Sequence, residues 1–192
     1  IGTCLERGCA SQFLDFCEKN HGLEDWQHGF RCCRSCSTAY ANFVRKITTR
    51  KQKYAVAIFL DGSNAFGAPK HTKILQLLAE RIKEPQTYKW FADFLTNRSY
   101  YVQHLDQKSK TRLLPNAGVP QGSCNGPGIY SFVNNEVHKT LKKFISDEHS
   151  LIGYADDTTM CVYANSWIEV ETKANIFTAA IAGWMKSVGI SI

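Results

Sequence analysis

No stretch of this 192-residue chain approaches the ~20 consecutive apolar residues that a membrane-spanning helix needs. The longest, Tyr54 to Leu60, has 7. A soluble chain without a membrane partner is expected. Proline is scarce, at 5 residues, and the 13 glycines follow no repeating period, which excludes collagen-like and low-complexity chains. Charged residues make up 21% against 44% hydrophobic, enough apolar material for one or two globular units. The 8 cysteines fall well below the roughly 8–10% of disulfide scaffolds, so a reducing, intracellular setting is expected. There is no initiator Met and no secretory core, since Ile1 to Ala10 contain Glu6 and Arg7. The chain reads as a piece of something longer.

Acidic residues are missing altogether from Trp26 to Leu60, where Arg31, Arg34, Arg45, Lys46, Arg50, Lys51 and Lys53 stand. These 7 positive charges exceed the net charge of the whole chain, +6. An excess confined to one segment points to a local polyanion site rather than a generally basic surface. Trp26, Phe30, Tyr40 and Phe43 interleave with the cations, as nucleic-acid surfaces require.

Helical spacing runs from Leu5 to Cys17 and from Ser37 to Ile47, where Tyr40, Phe43, Val44 and Ile47 share a face behind capping hydroxyls. Tyr54 to Leu60 is a continuous apolar run of strand length, expected to be covered on both faces. Pro69 and Pro85 are placed to start helices through Ile82 and Leu95. A hairpin is expected over Tyr100 to Leu105 and Thr111 to Leu114, around Asp106 to Lys110. A helix should run from the glycine-rich Gly118 to Gly128 stretch to about Ile145, then a second hairpin over Ser150 to Ala164, and a last helix from Ser166 to about Lys186. The fold class is α+β, with helices packed on an antiparallel sheet.

Three sites carry chemistry. The second hairpin is centred on Asp156-Asp157, where tight turns prefer Asn-Gly or Asp-Gly. Two carboxylates ~4 Å apart at an effective dielectric of ~20 repel by about 4 kcal/mol, so a cation should sit beside them, and hard oxygen ligands favour Mg²⁺. Asp61 ends the apolar strand, and as a sheet neighbour of the hairpin it would complete a cluster able to hold two metals ~3.5–4 Å apart. The third is Gly118-Val119-Pro120-Gln121-Gly122-Ser123, a loop feeding a helix N-terminus, which suits phosphate or nucleotide contact.

In this order and spacing the segments QHGFRCCRSCSTAY (27–40), FLDGSNAF (59–66), GVPQGSCNGPGIYSFVNNEV (118–137) and YADD (154–157) resemble the palm of a reverse transcriptase, most closely of the non-LTR (LINE-type) retrotransposon group. The resemblance implies an RNA-directed DNA polymerase with partial fingers over 1–53, a palm over 54–192 with a fingers-side excursion at about 85–117, and no thumb. It implies that Asp61 and Asp156 bridge two Mg²⁺ ions, replaceable by Mn²⁺, with Asp157 and the Gly62 carbonyl beside them. Phe66 would be the gate that leaves no room for a ribose 2′-hydroxyl. Gln121 and Gly122 would position nucleotide and template, Arg31 and Arg34 would reach the triphosphate or template, and Tyr154 would pack near the primer terminus. The implied partners are an RNA template, a DNA primer and deoxynucleotides, with no obligate protein partner.

The chain departs from that pattern at Gly67, Cys32-Cys33 and Asn135, none of them an implied ligand, which leaves a catalytically inactive nucleic-acid-binding remnant as an alternative. An RNA-dependent RNA polymerase palm is a second, disfavoured by the aromatic five residues after Asp61. A zinc module built from Cys4, Cys9, Cys17, Cys32, Cys33 and Cys36 with His21 and His28 is a third. Only Cys33 and Cys36 have the two-residue spacing of a zinc knuckle.

Overall fold

A computed structural model describes residues 2–20, 22–142 and 149–191. The elements run α1 (Gly2–Lys19), α2 (Cys36–Thr48), β1 (Tyr54–Leu60), α3 (His71–Arg81), α4 (Pro85–Leu95), β2 (Ser99–Tyr100), β3 (Gln103–His104), β4 (Gln107–Lys108), β5 (Arg112–Leu113), α5 (Gly126–Asn134), α6 (Glu136–Lys142), β6 (His149–Tyr154), β7 (Asp157–Ala164) and α7 (Trp167–Val188). The fold is α+β. Its main sheet is antiparallel with strand order β1-β7-β6.

The central strand β7 is buried on both faces, because alternate side chains point opposite ways. Met160 and Val162 join the main core, with Leu151, Phe177 and Ile181. Cys161 and Tyr163 turn the other way and meet Ile152 and Ala39. α7 lies on the first face, through Val170, Phe177, Ile181, Trp184, Met185 and Val188 at helical spacing. α2 covers the second. Each large apolar side chain so buried contributes about 1.5–3 kcal/mol relative to exposure.

The buried stripe of α2 differs from the expected one. Ala39 is buried and Phe43 and Ile47 pack beside it, whereas Tyr40 and Val44 face solvent. The small side chain at 39 lets the helix approach the sheet, and a tyrosine one position on would not fit there. Ser35 caps the helix, its hydroxyl accepting from the Thr38 amide at 3.2 Å while the Thr38 hydroxyl accepts from the Ser35 amide at 2.8 Å.

β1 is also a correction. Its boundaries match the apolar run, but it is an edge strand: its first five residues are half-buried and Phe59 is 74% exposed. With only β7 beside it among the described residues, it is not covered as a central strand would be.

Two turn and helix expectations shift as well. The hairpin after α4 is two short ladders, β2 with β5 and β3 with β4, turning at Leu105-Asp106 rather than over Asp106 to Lys110. The helix expected to reach about Ile145 divides at Asn135 into α5 and α6, and its last residues lie outside the described ones. The Asn135 side chain stands at the division and ties it to the segment after α1. It is buried, its carbonyl accepts from the Glu24 amide at 2.7 Å, and its amide donates to the Gly22 carbonyl at 3.0 Å.

Candidate active site

The antiparallel register brings the three candidate carboxylates to one end of the sheet. Leu60 pairs with Thr158, so Asp61 emerges from β1 beside the start of β7, where Asp157 begins the strand and Asp156 stands in the turn. Tyr154 pairs with Asp157, so the two-residue turn is Ala155-Asp156 and not Asp156-Asp157. The residue in the strained left-handed region is Ala155, at φ 56°, where an L side chain is disfavoured.

A neighbouring segment holds that turn in place. Gln27 bridges Gly153, the Gly153 amide donates to the Trp26 carbonyl at 2.8 Å, and the His28 amide donates to the Gly153 carbonyl at 2.7 Å. Gln27 is fully buried. Its side-chain amide donates to the Ala155 carbonyl at 3.4 Å, and its side-chain carbonyl accepts from the Gly29 amide at 2.9 Å. These contacts offset the cost of strained backbone at Ala155, of order 1–3 kcal/mol. Gln27 and Gly29 therefore position the turn, a role that local pattern could not supply because the contacts span more than 120 residues; the only signal was their place in the QHGF segment.

Among the described residues the side-chain carboxylates of Asp61, Asp156 and Asp157 make no hydrogen bond or ion pair, and no three acidic, histidine or cysteine side chains are gathered as a ready metal shell. Among the described residues the sheet delivers the expected carboxylates to one end without closing the expected cluster. Their field is felt nearby. Burial first, and then the charges of Asp156 and Asp157, push the Tyr130 phenol well above its ordinary range. Tyr130 stacks on Phe66, ring centroids 4.5 Å apart and 24° from parallel, and Phe30 meets Phe66 edge-on at 6.3 Å. Half-buried Phe66 is thus wedged in an aromatic row that reaches the acidic turn; Tyr130 is a member the motifs did not single out.

The glycine-rich loop packs against the Phe66 loop. The Val119 amide donates to the Phe66 carbonyl at 2.7 Å. Gly118, at φ 83°, passes so close that a Cβ there would lie 2.7 Å from the Gly67 carbonyl oxygen. Gln121 and Gly122 are exposed in the turn from Pro120 to Ser123, with Gly122 at φ 79° as a type II turn demands. The helix N-terminus after this loop does not await a phosphate. The Glu6 carboxylate of α1 already accepts from the Cys124 and Asn125 amides, at 2.8 and 3.2 Å, and a carboxylate satisfies the same donors and dipole that a phosphate would. Gly62 is buried against Ile190, and Tyr154 is exposed with its hydroxyl toward the Cys36 thiol.

Arg31 and Arg34 are engaged elsewhere. Arg31 forms a fork with Glu18, at 2.8 and 2.6 Å, and donates to the Glu24 and Gln27 carbonyls, so it ties α1 to the segment that braces the acidic turn. Arg34 donates to the backbone carbonyl and carboxylate of Asp25 at 2.6 and 2.7 Å. These bonds hold the Glu18 and Asp25 carboxyls below their ordinary range. Arg45, Lys46, Lys51 and Lys53 of the acid-free segment form no ion pair among the described residues.

The class is set by this arrangement: a three-stranded antiparallel sheet carrying unpaired carboxylates at one end, flanked by an aromatic wedge and a glycine loop. The sequence pattern described as "Reverse transcriptase (RNA-dependent DNA polymerase)" matches residues 3–192, and the chain belongs to that family. It is 29% identical over 197 aligned residues to the RNA-directed DNA polymerase from mobile element jockey of Drosophila melanogaster, with 100% of this chain and 21% of the relative covered. It is 26% identical over 190 residues to the probable RNA-directed DNA polymerase from transposon BS of the same species, covering 97% and 21%. It is 25% identical over 194 residues to the Pol polyprotein from type-1 retrotransposable element R1 of Bradysia coprophila, covering 100% and 18%. The chain thus spans about a fifth of these relatives. Its fold is similar to that of apo telomerase from Candida tropicalis truncated from the C-terminal domain, with a TM-score of 0.63 at 12% identity over 92% of this chain and 36% of the other.

Proposed function

We propose that this chain is the carboxylate-bearing part of an RNA-directed DNA polymerase from a non-LTR retrotransposon, adding deoxynucleotides to a DNA primer 3′-hydroxyl under the direction of an RNA template. The observation that carries this is the delivery of Asp61, Asp156 and Asp157, none of them paired among the described residues, to one end of the sheet. In this reading residues 1–53 are partial fingers and 54–192 the palm, with 85–117 an excursion toward the fingers. The setting is intracellular, a reading supported by eight unpaired thiols.

The donor set fits divalent cations: hard carboxylate oxygens at an open sheet end, uncompensated by Lys or Arg. Asp61, Asp156, Asp157 and the Gly62 carbonyl would hold Mg²⁺, two ions in all, with Mn²⁺ as substitute. Bound there, such ions activate an attacking oxygen and stabilise the leaving one in phosphoryl transfer. The chain's own residues do the rest. Phe66, backed by Tyr130, closes the space below the incoming sugar and selects deoxyribose. Gln121 and Gly122 position nucleotide and template, and Tyr154 lies beside the primer end. Arg31 and Arg34 act by fixing the segment that holds the acidic turn.

Primer extension on an RNA template by the longer protein tests this. Asp156→Asn should add no nucleotide while keeping the wild-type melting temperature, and equal extension by both proteins would overturn the assignment.

A further inference from the structure

Residues 99–113 form a hairpin that packs on nothing: every residue in it is exposed. Tyr100, Tyr101, Val102, Leu105 and Leu113 all show large apolar area, Leu105 as much as 80%. Folding normally buries such side chains, and a hairpin stabilised only by two short ladders is marginal alone. Its charge is one-sided. From Arg98 to Leu114 there are Arg98, Lys108, Lys110 and Arg112 against Asp106 alone, and none of the four cations forms an ion pair among the described residues.

The strand geometry distributes these groups. Two residues, Tyr101 and Val102, separate the ladders on the first strand, and three, Ser109 to Thr111, on the second, so the second strand bulges. Tyr100 lies directly opposite Arg112, whereas Lys108 sets its ammonium 5.0 Å over the Tyr101 ring. Adjacent residues of a strand point to opposite faces, so each face carries one tyrosine beside one cation. Flat rings next to cations, on a protruding arm whose one carboxylate is Asp106 at the turn, match an unpaired nucleotide chain, whose bases stack while its phosphates take the charge.

We infer that the 98–114 hairpin binds single-stranded nucleic acid, with Tyr100 and Tyr101 stacking on bases and Arg98, Lys108, Lys110 and Arg112 contacting phosphates. A paired duplex hides its base faces and is the poorer ligand. The inference rests on the copying-enzyme reading only for the source of such strands. It is tested without nucleotide or metal, so its failure and that of the polymerase reading are separable.

The test titrates fluorescein-labelled rU12, dT12 and a blunt 12-base-pair duplex with the full chain, by anisotropy across a salt series. Tyr100→Ala/Tyr101→Ala, which removes two stacking rings, should weaken rU12 or dT12 by roughly thirtyfold or more. Lys108→Gln/Lys110→Gln/Arg112→Gln should lower the slope of log affinity against log salt by about 2, at ~0.7 per phosphate contact on a single strand. Both variants should keep the wild-type melting temperature, since the arm packs on nothing. Photocrosslinking of a 4-thiouridine strand should map to peptides from 98–114, a readout independent of any variant. Preference for rU12 or for dT12 would name the strand. Unchanged affinity and slope in both variants with crosslinks elsewhere, or duplex bound as tightly as either single strand, would overturn the inference. So would a chain that binds none of the probes but self-associates through the hairpin.

Discussion

Gly29 has no room for a side chain, since a Cβ there would lie 2.1 Å from the Ala155 amide nitrogen and 2.8 Å from its Cα. Both obstacles are backbone and cannot swing aside. Gly29→Ala should therefore cost about 1–3 kcal/mol in urea unfolding and depress primer extension further than the stability loss explains, because the displaced element is the acidic turn. Gly153 is walled in by the Trp26 ring at 2.4 Å, so an alanine there should act in the same direction. Phe66 makes a different claim. In the longer protein Phe66→Ala should narrow the preference for deoxynucleotides over ribonucleotides, measured as the ratio of kcat/KM for the two, and an unchanged ratio would leave the ring only its packing on Tyr130. Of these residues the motif showed that Phe66 follows Asp61 at a fixed spacing. It could not show Tyr130 beneath the ring, which α5 brings in from far along the chain.

At the scale of elements, the segment from Trp26 to Arg34 is what holds the β6–β7 turn, and its stability should depend on pH. His28 is buried with its Nδ1 2.8 Å from the Thr38 hydroxyl. Burial, with Arg34 and Arg31 nearby, lowers its pKa below the ordinary 6.5. The unfolded chain thus takes up the proton first, so stability is complete above pH 6.5 and declines as the pH falls below it. The lowered Glu18 and Asp25 carboxyls act in the same direction beneath their own ordinary values of 4.5 and 3.8. Melting temperature should fall between pH 7 and pH 5, and His28→Gln should flatten that fall. Pro85 at the first position of α4, Pro69 two residues before α3 and Ser166 before α7 were legible because proline restraints and caps act within a few residues, whereas the cap of α2 is Ser35, ahead of the helix start at Ser37 that the spacing indicated. The inward face of α2 was not: Ala39 is the contact residue only because the sheet lies close above it. The role of Arg31 was likewise invisible, its partner Glu18 being 13 residues away on α1.

Across the whole molecule, protection against hydrogen exchange should be uneven. Amides of β7, paired on both sides within the core, should open only with global unfolding, while those of 98–114 should exchange close to the unprotected rate; equal protection of the two would contradict the packing described. The same contrast separates the two kinds of information in this chain. The apolar run of β1, the acidic pair after Tyr154, the glycine loop and the acid-free basic stretch are properties of residue order. Periodicity and apolar pattern sufficed to read an α+β chain, and the acidic, glycine and aromatic motifs in their order carried the resemblance that singled out its carboxylates. Only the tertiary structure decided that β1 runs at the sheet edge, that Glu6 fills the N-terminus of α5, that the first two arginines of the basic stretch are braces, and that the 98–114 arm stands free. Each of those depends on contacts between residues distant in sequence, which local periodicity does not encode and which packing and electrostatic pairing alone select.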